Sequence, residues 1–253
     1  MRLSPLPFCF LLVLAGCIEQ TNEALQPPFP RGGGTYSMTV QPIFDKNCGG
    51  TSCHSGGASG FAAGLDLTSY NGLMRGSRFG AVVIPGHVFM SHLVQSINPS
   101  DTLLSPVSSV QMPAGRNPLS GGDIQTIVQW IRDGARNDAG QEPFPEPRPL
   151  GKVYFTSQSV DLVGVLDRAT NLVIRYVTVG RELPFTLPPD SPHNVQIDDQ
   201  GAFYYVTLIR GNKLRKYDAA THRLVGEVNV GVSPAHVVVT ADGSKAYVTN
   251  FDL

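Results

Sequence analysis

Apolar positions along the 253-residue chain fall into distinct regimes, each with its own period. Near the start, Pro7-Phe8-Cys9-Phe10-Leu11-Leu12-Val13-Leu14 is continuously apolar behind the single cation Arg2. That run is shorter than the ~20 apolar residues a membrane-spanning helix needs, so it predicts an export signal. Residues 17–35 then turn polar and Pro/Gly-rich with no period, which predicts a tether without a core. Farther on, Ile124, Ile127, Val128 and Ile131 recur at i, i+3, i+4 and i+7, one apolar face of a helix with Trp130 beside it. Ser120 suits the N-cap, Asp123 the positive N-terminal end, Arg132 the last turn and Gly134 the stop. A shorter helix is expected over Met38–Lys46, with Val40, Ile43 and Phe44 inward. Past residue 150, runs such as Ala202–Leu208, Lys213–Asp218 and Leu224–Val230 are β-branched or aromatic between turn residues, which predicts strands.

A second proline-rich stretch, Ala139–Pro149, predicts a stiff, extended linker. The map is therefore a signal over 1–16, a tether over 17–35, a helical domain over 36–138, a linker over 139–150 and a strand-rich segment over 151–253. The last segment repeats. Ser191–Leu208 aligns with Ser233–Asn250 at an offset of 42 residues with seven identities, and Tyr154–Gly180 aligns with Tyr205–Gly231 at an offset of 51. The extra nine residues sit in the insertion around Arg181–Asp190. A period of 40-odd residues carrying four short strands is the signature of propeller blades. Tyr247-Val248-Thr249-Asn250, with Tyr205-Val206-Thr207 as its counterpart, resembles the YVTN family of β-propeller repeats. The count is strands two to four of one blade, a complete second blade and two strands of a third. Since propellers close with about 4–8 blades, this segment is an incomplete propeller of two to three blades. Its missing blades are expected from a longer reading frame or from another chain. The expected fold class is multidomain: a small all-α domain followed by an all-β incomplete propeller.

Charge narrows the function classes. Lys and Arg total 19 against 20 Asp and Glu, and only 15% of residues are charged. No basic surface is expected, which excludes a nucleic-acid partner on electrostatic grounds. Gly (27) and Pro (20) exceed average usage, which fits turn-rich β-structure.

The four cysteines are more informative than their number. Leu14-Ala15-Gly16-Cys17 resembles a bacterial lipobox, which implies acylation of Cys17 and an exported, lipid-anchored protein. Ile18 after it implies outer-membrane sorting in a Gram-negative source, on the periplasmic or cell-surface side. Cys48 and Cys53 precede His54 in Cys48-Gly49-Gly50-Thr51-Ser52-Cys53-His54, the arrangement that attaches haem c. Each thiol forms a thioether to one vinyl group and the adjacent imidazole meets the iron. The usual spacing is two residues; here it is four, and Gly49 and Gly50 can absorb the longer loop. A Cys48–Cys53 disulfide is the alternative in an oxidising compartment. A zinc site completed by His87 or His92 is a further one.

The surrounding residues carry a resemblance. Val40–Asn47, Gly64-Leu65-Asp66-Leu67, Val83-Ile84-Pro85-Gly86, Ser91-His92-Leu93, Met112-Pro113, Leu119-Ser120 and Trp130–Ala135 occur in that order, and together resemble the planctomycete-type cytochrome c family over nearly all of 36–138. The resemblance implies one haem c, His54 as proximal ligand and Met112 as distal ligand, with Phe44, Leu65, Leu67, Ile84 and Trp130 about the pocket. His87, Met90 and His92 are the other candidates for the sixth position. The expected function is single-electron transfer to an unidentified redox partner, with the propeller as a docking platform. The alternatives are a haem-dependent oxidoreductase or peroxidase using a completed propeller, and a non-haem surface-binding lipoprotein with the Cys48–Cys53 disulfide. His193 and His236 lie near the starts of equivalent strands, one residue out of register, and no catalytic constellation stands out in the strand-rich segment.

Overall fold

Proline and glycine placement decides where the helices of the first region begin and end. In a computed structural model of the chain, the described residues are 35–48, 53–55, 63–99, 108, 110–144, 151–181 and 188–252. The export signal, Cys17 and nearly all of the tether lie outside them, as do Gly49–Ser52 within the cysteine motif. The single helix expected over 38–46 is two: α1 (Tyr36–Thr39) and α2 (Gln41–Asn47), jointed at the fully buried Val40. Pro42 stands in the first turn of α2, where its missing N–H removes no helical bond. Short helices α3 (Tyr70–Met74) and α4 (His92–Ile97) follow.

Helix α5 (Gly121–Arg132) forms as the periodicity predicts. Ser120 Oγ accepts from Asp123 N at 3.1 Å, and Ile124, Ile127, Val128 and Ile131 are all buried. Gly134 ends it at φ +95°, and a Cβ there would run into Glu142. These residues join Tyr36, Val40, Phe44, Leu73, Val83 and Val94 in one apolar core. Tyr70 and Trp130 pack against it, the Tyr36 ring meeting Tyr70 edge-on and Trp130 at a tilt, with Trp130 Nε1 donating to Arg136 O at 2.9 Å.

Among the described residues nine strands follow: β1 (Lys152–Ser157), β2 (Leu162–Asp167), β3 (Leu172–Thr178), β4 (Pro192–Ile197), β5 (Phe203–Leu208), β6 (Lys213–Asp218), β7 (Leu224–Asn229), β8 (Pro234–Val239) and β9 (Ala246–Asn250). They form antiparallel sheets β1-β2-β3, β4-β5-β6-β7 and β8-β9, the grouping of three, four and two strands that the repeat predicts. Among the described residues no sheet closes on itself. Val163, Val179, Tyr204 and Tyr217 fill the space between the first two sheets; Tyr205, Leu214 and Val237 fill the next.

The repeat is visible in the backbone. Ser191 and Ser233, 42 residues apart, both have positive φ (57° and 52°), as do Asp161 and Asn212, 51 apart (54° and 57°). The strands carrying Tyr154-Phe155-Thr156 and Tyr205-Val206-Thr207 also share one bond. Thr156 Oγ1 donates to His193 O at 3.2 Å, and its counterpart Thr207 Oγ1 donates to Ala235 O at 2.8 Å. Each threonine thus ties its own sheet to the first strand of the next.

Of the linker expected over 139–150, residues 139–144 are described, and most of its prolines lie outside them. Glu142 receives Arg136 Nη2 at 2.7 Å and Arg175 Nη2 at 3.2 Å, so one carboxylate joins the helical region to β3. Pro143 is buried, and Phe144 packs against both the helical core and the Val165–Leu172–Ile174 cluster.

Candidate functional site

Helix α2 delivers the first cysteine. Cys48 is its C-cap, with N–H bound to Phe44 O at 2.7 Å and 7% of its surface exposed within the apolar core. Burial pushes the thiol up to about 11; the neighbouring Cys53 adds to this and Arg116 opposes it. The thiol therefore stays protonated at neutral pH.

Six residues on, the chain returns to the same place. His54 N–H reaches Cys48 O at 3.5 Å, His54 O accepts from Leu67 N at 2.9 Å, and Ser55 bridges Asp66 in antiparallel fashion. Asp66 is held in turn by Thr68 and Arg75; the Thr68 bonds above all hold its carboxyl below the usual range. An antiparallel partner thus holds the backbone at His54. Burial lowers the pKa of its imidazole, a hydrogen bond with the Leu65 backbone pulls the other way, and Nδ1 is buried without a hydrogen-bond partner in the structure. A neutral ring with an unsatisfied buried nitrogen has the character of a metal ligand.

Met112 approaches from the other end of the region. It is half-buried against the core that contains Cys48, its N–H bound to Ser96 O at 2.8 Å, and it precedes the cis Pro113. Of the expected pocket residues, Phe44 and Leu67 are in this core and Leu65 and Trp130 pack against it. Ile84 is buried outside that cluster, its N–H bound to Ser91 Oγ at 2.9 Å.

The other candidates for the sixth position have different surroundings. His87 Nδ1 accepts from Met90 N at 3.3 Å, and its ring lies edge-on to Tyr176 with centroids 5.9 Å apart. His92 is exposed beside Gln95, and Met90 is half-buried. Ser91, part of the Ser91-His92-Leu93 pattern, has a role the sequence does not show. Its fully buried hydroxyl accepts from Ile84 N and donates to His87 O at 2.9 Å, pinning the Val83–Gly86 turn to the start of α4. A serine just before a short helix was the available signal, but it reads as a cap rather than as a tie between loops. In the sheet region, His193 and His236 come together across β4 and β8.

The donor types present are those a covalently held haem would use. They are a protonated buried thiol on an apolar wall, an imidazole with an unsatisfied nitrogen, and a thioether on the same core. No curated protein matches the chain. Among solved structures, it is similar to hydrazine synthase of Kuenenia stuttgartiensis, with 25% identity over 40% of this chain and 26% of that one and a TM-score of 0.35. It is also similar to a functionally unknown protein from Desulfotomaculum acetoxidans, with 20% identity over 43% of this chain and 36% of that one and a TM-score of 0.33. The chain thus spans between a quarter and just over a third of the length of these structures. Residues 51–113, a segment that includes Cys53, His54 and Met112, match the family model for the planctomycete cytochrome c, and a domain of that family implies covalently bound haem c.

Proposed function

We propose that the helical region is a c-type cytochrome centre and that the exported chain, lipid-anchored through Cys17, carries single electrons. Cys48 and Cys53 hold one haem c, His54 is the proximal ligand and Met112 the distal one. The observation that carries this reading is the family match over 51–113, which includes both proposed ligands, on a region whose core buries the Cys48 thiol.

Each residue has a defined task. The two thiols would hold the haem through thioether bonds to its vinyl groups, each S–H adding across one double bond so that no oxidant would be needed. The backbone bridge from Ser55 to Asp66 orients the His54 ring. The Ser96 bond to Met112 N–H sets the height of its thioether over the core. When bound, haem c supplies a one-electron iron couple, and a thioether opposite imidazole favours the ferrous state and raises the potential. Phe44 and Leu67 exclude water from beside it. The sheets serve as the docking platform for a redox partner and belong to a propeller whose other blades lie in a longer chain or a partner chain.

The test is a reduced-minus-oxidised spectrum with haem staining on a denaturing gel, after expression in a host that attaches haem c. A c-type spectrum with stain surviving denaturation is expected, absent from Cys53→Ala and His54→Ala. Met112→Ala keeps the stain and lowers the potential. Normal loading of both the Cys53 and His54 variants overturns the assignment. An intact mass two hydrogens below the reduced chain, with no haem adduct, replaces it with the disulfide.

A further inference from the structure

Strands β4 and β8 open the second and third sheets, and each brings a histidine to the seam between them. The rings of His193 and His236 have centroids 5.5 Å apart and planes at 78°. Their one-residue offset in the repeat is what makes them meet. The exact counterpart of His193 is Ala235, whose carbonyl lies 3.1 Å from His193 Nδ1. A carbonyl only accepts, so Nδ1 carries the proton and Nε2 keeps its lone pair. Metal-binding histidines are oriented by the same arrangement, a backbone carbonyl fixing the tautomer from behind.

The seam is also rigid. Val237 N donates to Asn194 Oδ1 at 3.1 Å, and His236 N donates to Thr249 Oγ1 at 3.2 Å. Phe251 stands edge-on to the His193 ring with centroids 5.3 Å apart and walls one side. His236 is exposed, which leaves the other side open to solvent. With bonds of about 2.0–2.1 Å and tetrahedral angles, two imidazoles on one ion place their ring centres roughly 5 Å apart. The observed centroid separation is close to that.

We propose that His193 and His236 together hold one borderline divalent transition-metal ion, Zn²⁺ or Cu²⁺, as a clamp between the second and third sheets. Two neutral imidazoles suit these ions and do not suit Mg²⁺ or Ca²⁺. Among the described residues no third His, Cys, Asp or Glu completes a cluster, so water fills the remaining positions. The ion binds both histidines only when the two sheets are docked, and binding therefore stabilises the docked arrangement by linkage. The two-stranded β8-β9 sheet gains most, because an isolated pair of strands is marginal in water.

The experiment uses the full chain titrated with Cu²⁺ and read by electron paramagnetic resonance, and with Zn²⁺ read by hydrogen exchange. One copper equivalent with splitting from two imidazole nitrogens is expected, unchanged in His92→Asn and lost in both His193→Ala and His236→Gln. Zn²⁺ should slow exchange of the β8 and β9 amides at least tenfold, and Mg²⁺ should not. Because His236 is exposed, its replacement leaves the fold readable. A two-nitrogen copper signal that survives in either variant, or no Zn²⁺-dependent protection in the parent chain, overturns the proposal.

Discussion

The helical region and the sheet region solve the problem of burying apolar surface differently. In the first, the described helices converge on one core in which Phe44, Leu73, Ile127 and Ile131 are essentially sealed from solvent. In the second, the apolar residues divide into smaller clusters, two of them between successive sheets and one where the first sheet meets Ala81 and Phe144. Tyr154 and Tyr205 show this. Tyr154 packs against the sheet that follows its own, and Tyr205 is buried in the cluster it shares with Val237 of the third sheet. Tyr247, at the corresponding position of the third sheet, is 61% exposed. The helical region thus buries its apolar residues in one shared core, whereas the second and third sheets bury theirs against a neighbouring sheet.

The largest expected effect tests the single core. Ile127→Ala should cost about 2–5 kcal/mol by denaturant titration, while Val225→Ala on exposed β7 should stay within roughly 0.5 kcal/mol. Equal losses would erase the contrast.

Acid should sharpen it next. His222, between the first two sheets, is pushed down to about 4, first by burial and then by the charges of Arg175 and Lys152, with Asp218 opposing. The unfolded chain therefore takes up this proton first. The contribution is complete above pH ~6.5 and is lost as pH falls toward about 4. The counterpart one repeat earlier is Asn171, with the same φ of 57°. His222→Asn should accordingly flatten the decline in sheet stability between these pH values without straining the turn. An unchanged acid slope would place the titration elsewhere.

The smallest effect concerns the joint. Glu142→Gln weakens both bridging ion pairs, and because all three groups are partly exposed the loss should be about 1 kcal/mol or less. Limited proteolysis should nevertheless speed up near residues 142–148. A loss of several kcal/mol would mean that the two regions fold as one unit.

Much of this was legible in the chain because it rests on local chemistry. The cap at Ser120, the stripe on α5, the strand grouping and the spacing of Cys48, Cys53 and His54 all come from residues close together in sequence. The joint at Val40 was less legible, because a period shared by two helices reads as one. The position of Met112 on the core of Cys48 follows from the family resemblance, and no periodicity predicts it.

Local pattern by itself determined which segments are helix or strand and which residues have the chemistry to hold a haem, since capping, amphipathic period and adjacent donors act over a few residues. Only the tertiary structure decided what those segments meet. It turned a linker glutamate into a bridge between Arg136 and Arg175, set His87 against Tyr176, and brought two out-of-register histidines together edge to face. Each of these depends on the closure of long loops and on how one sheet packs on the next, which no local preference encodes.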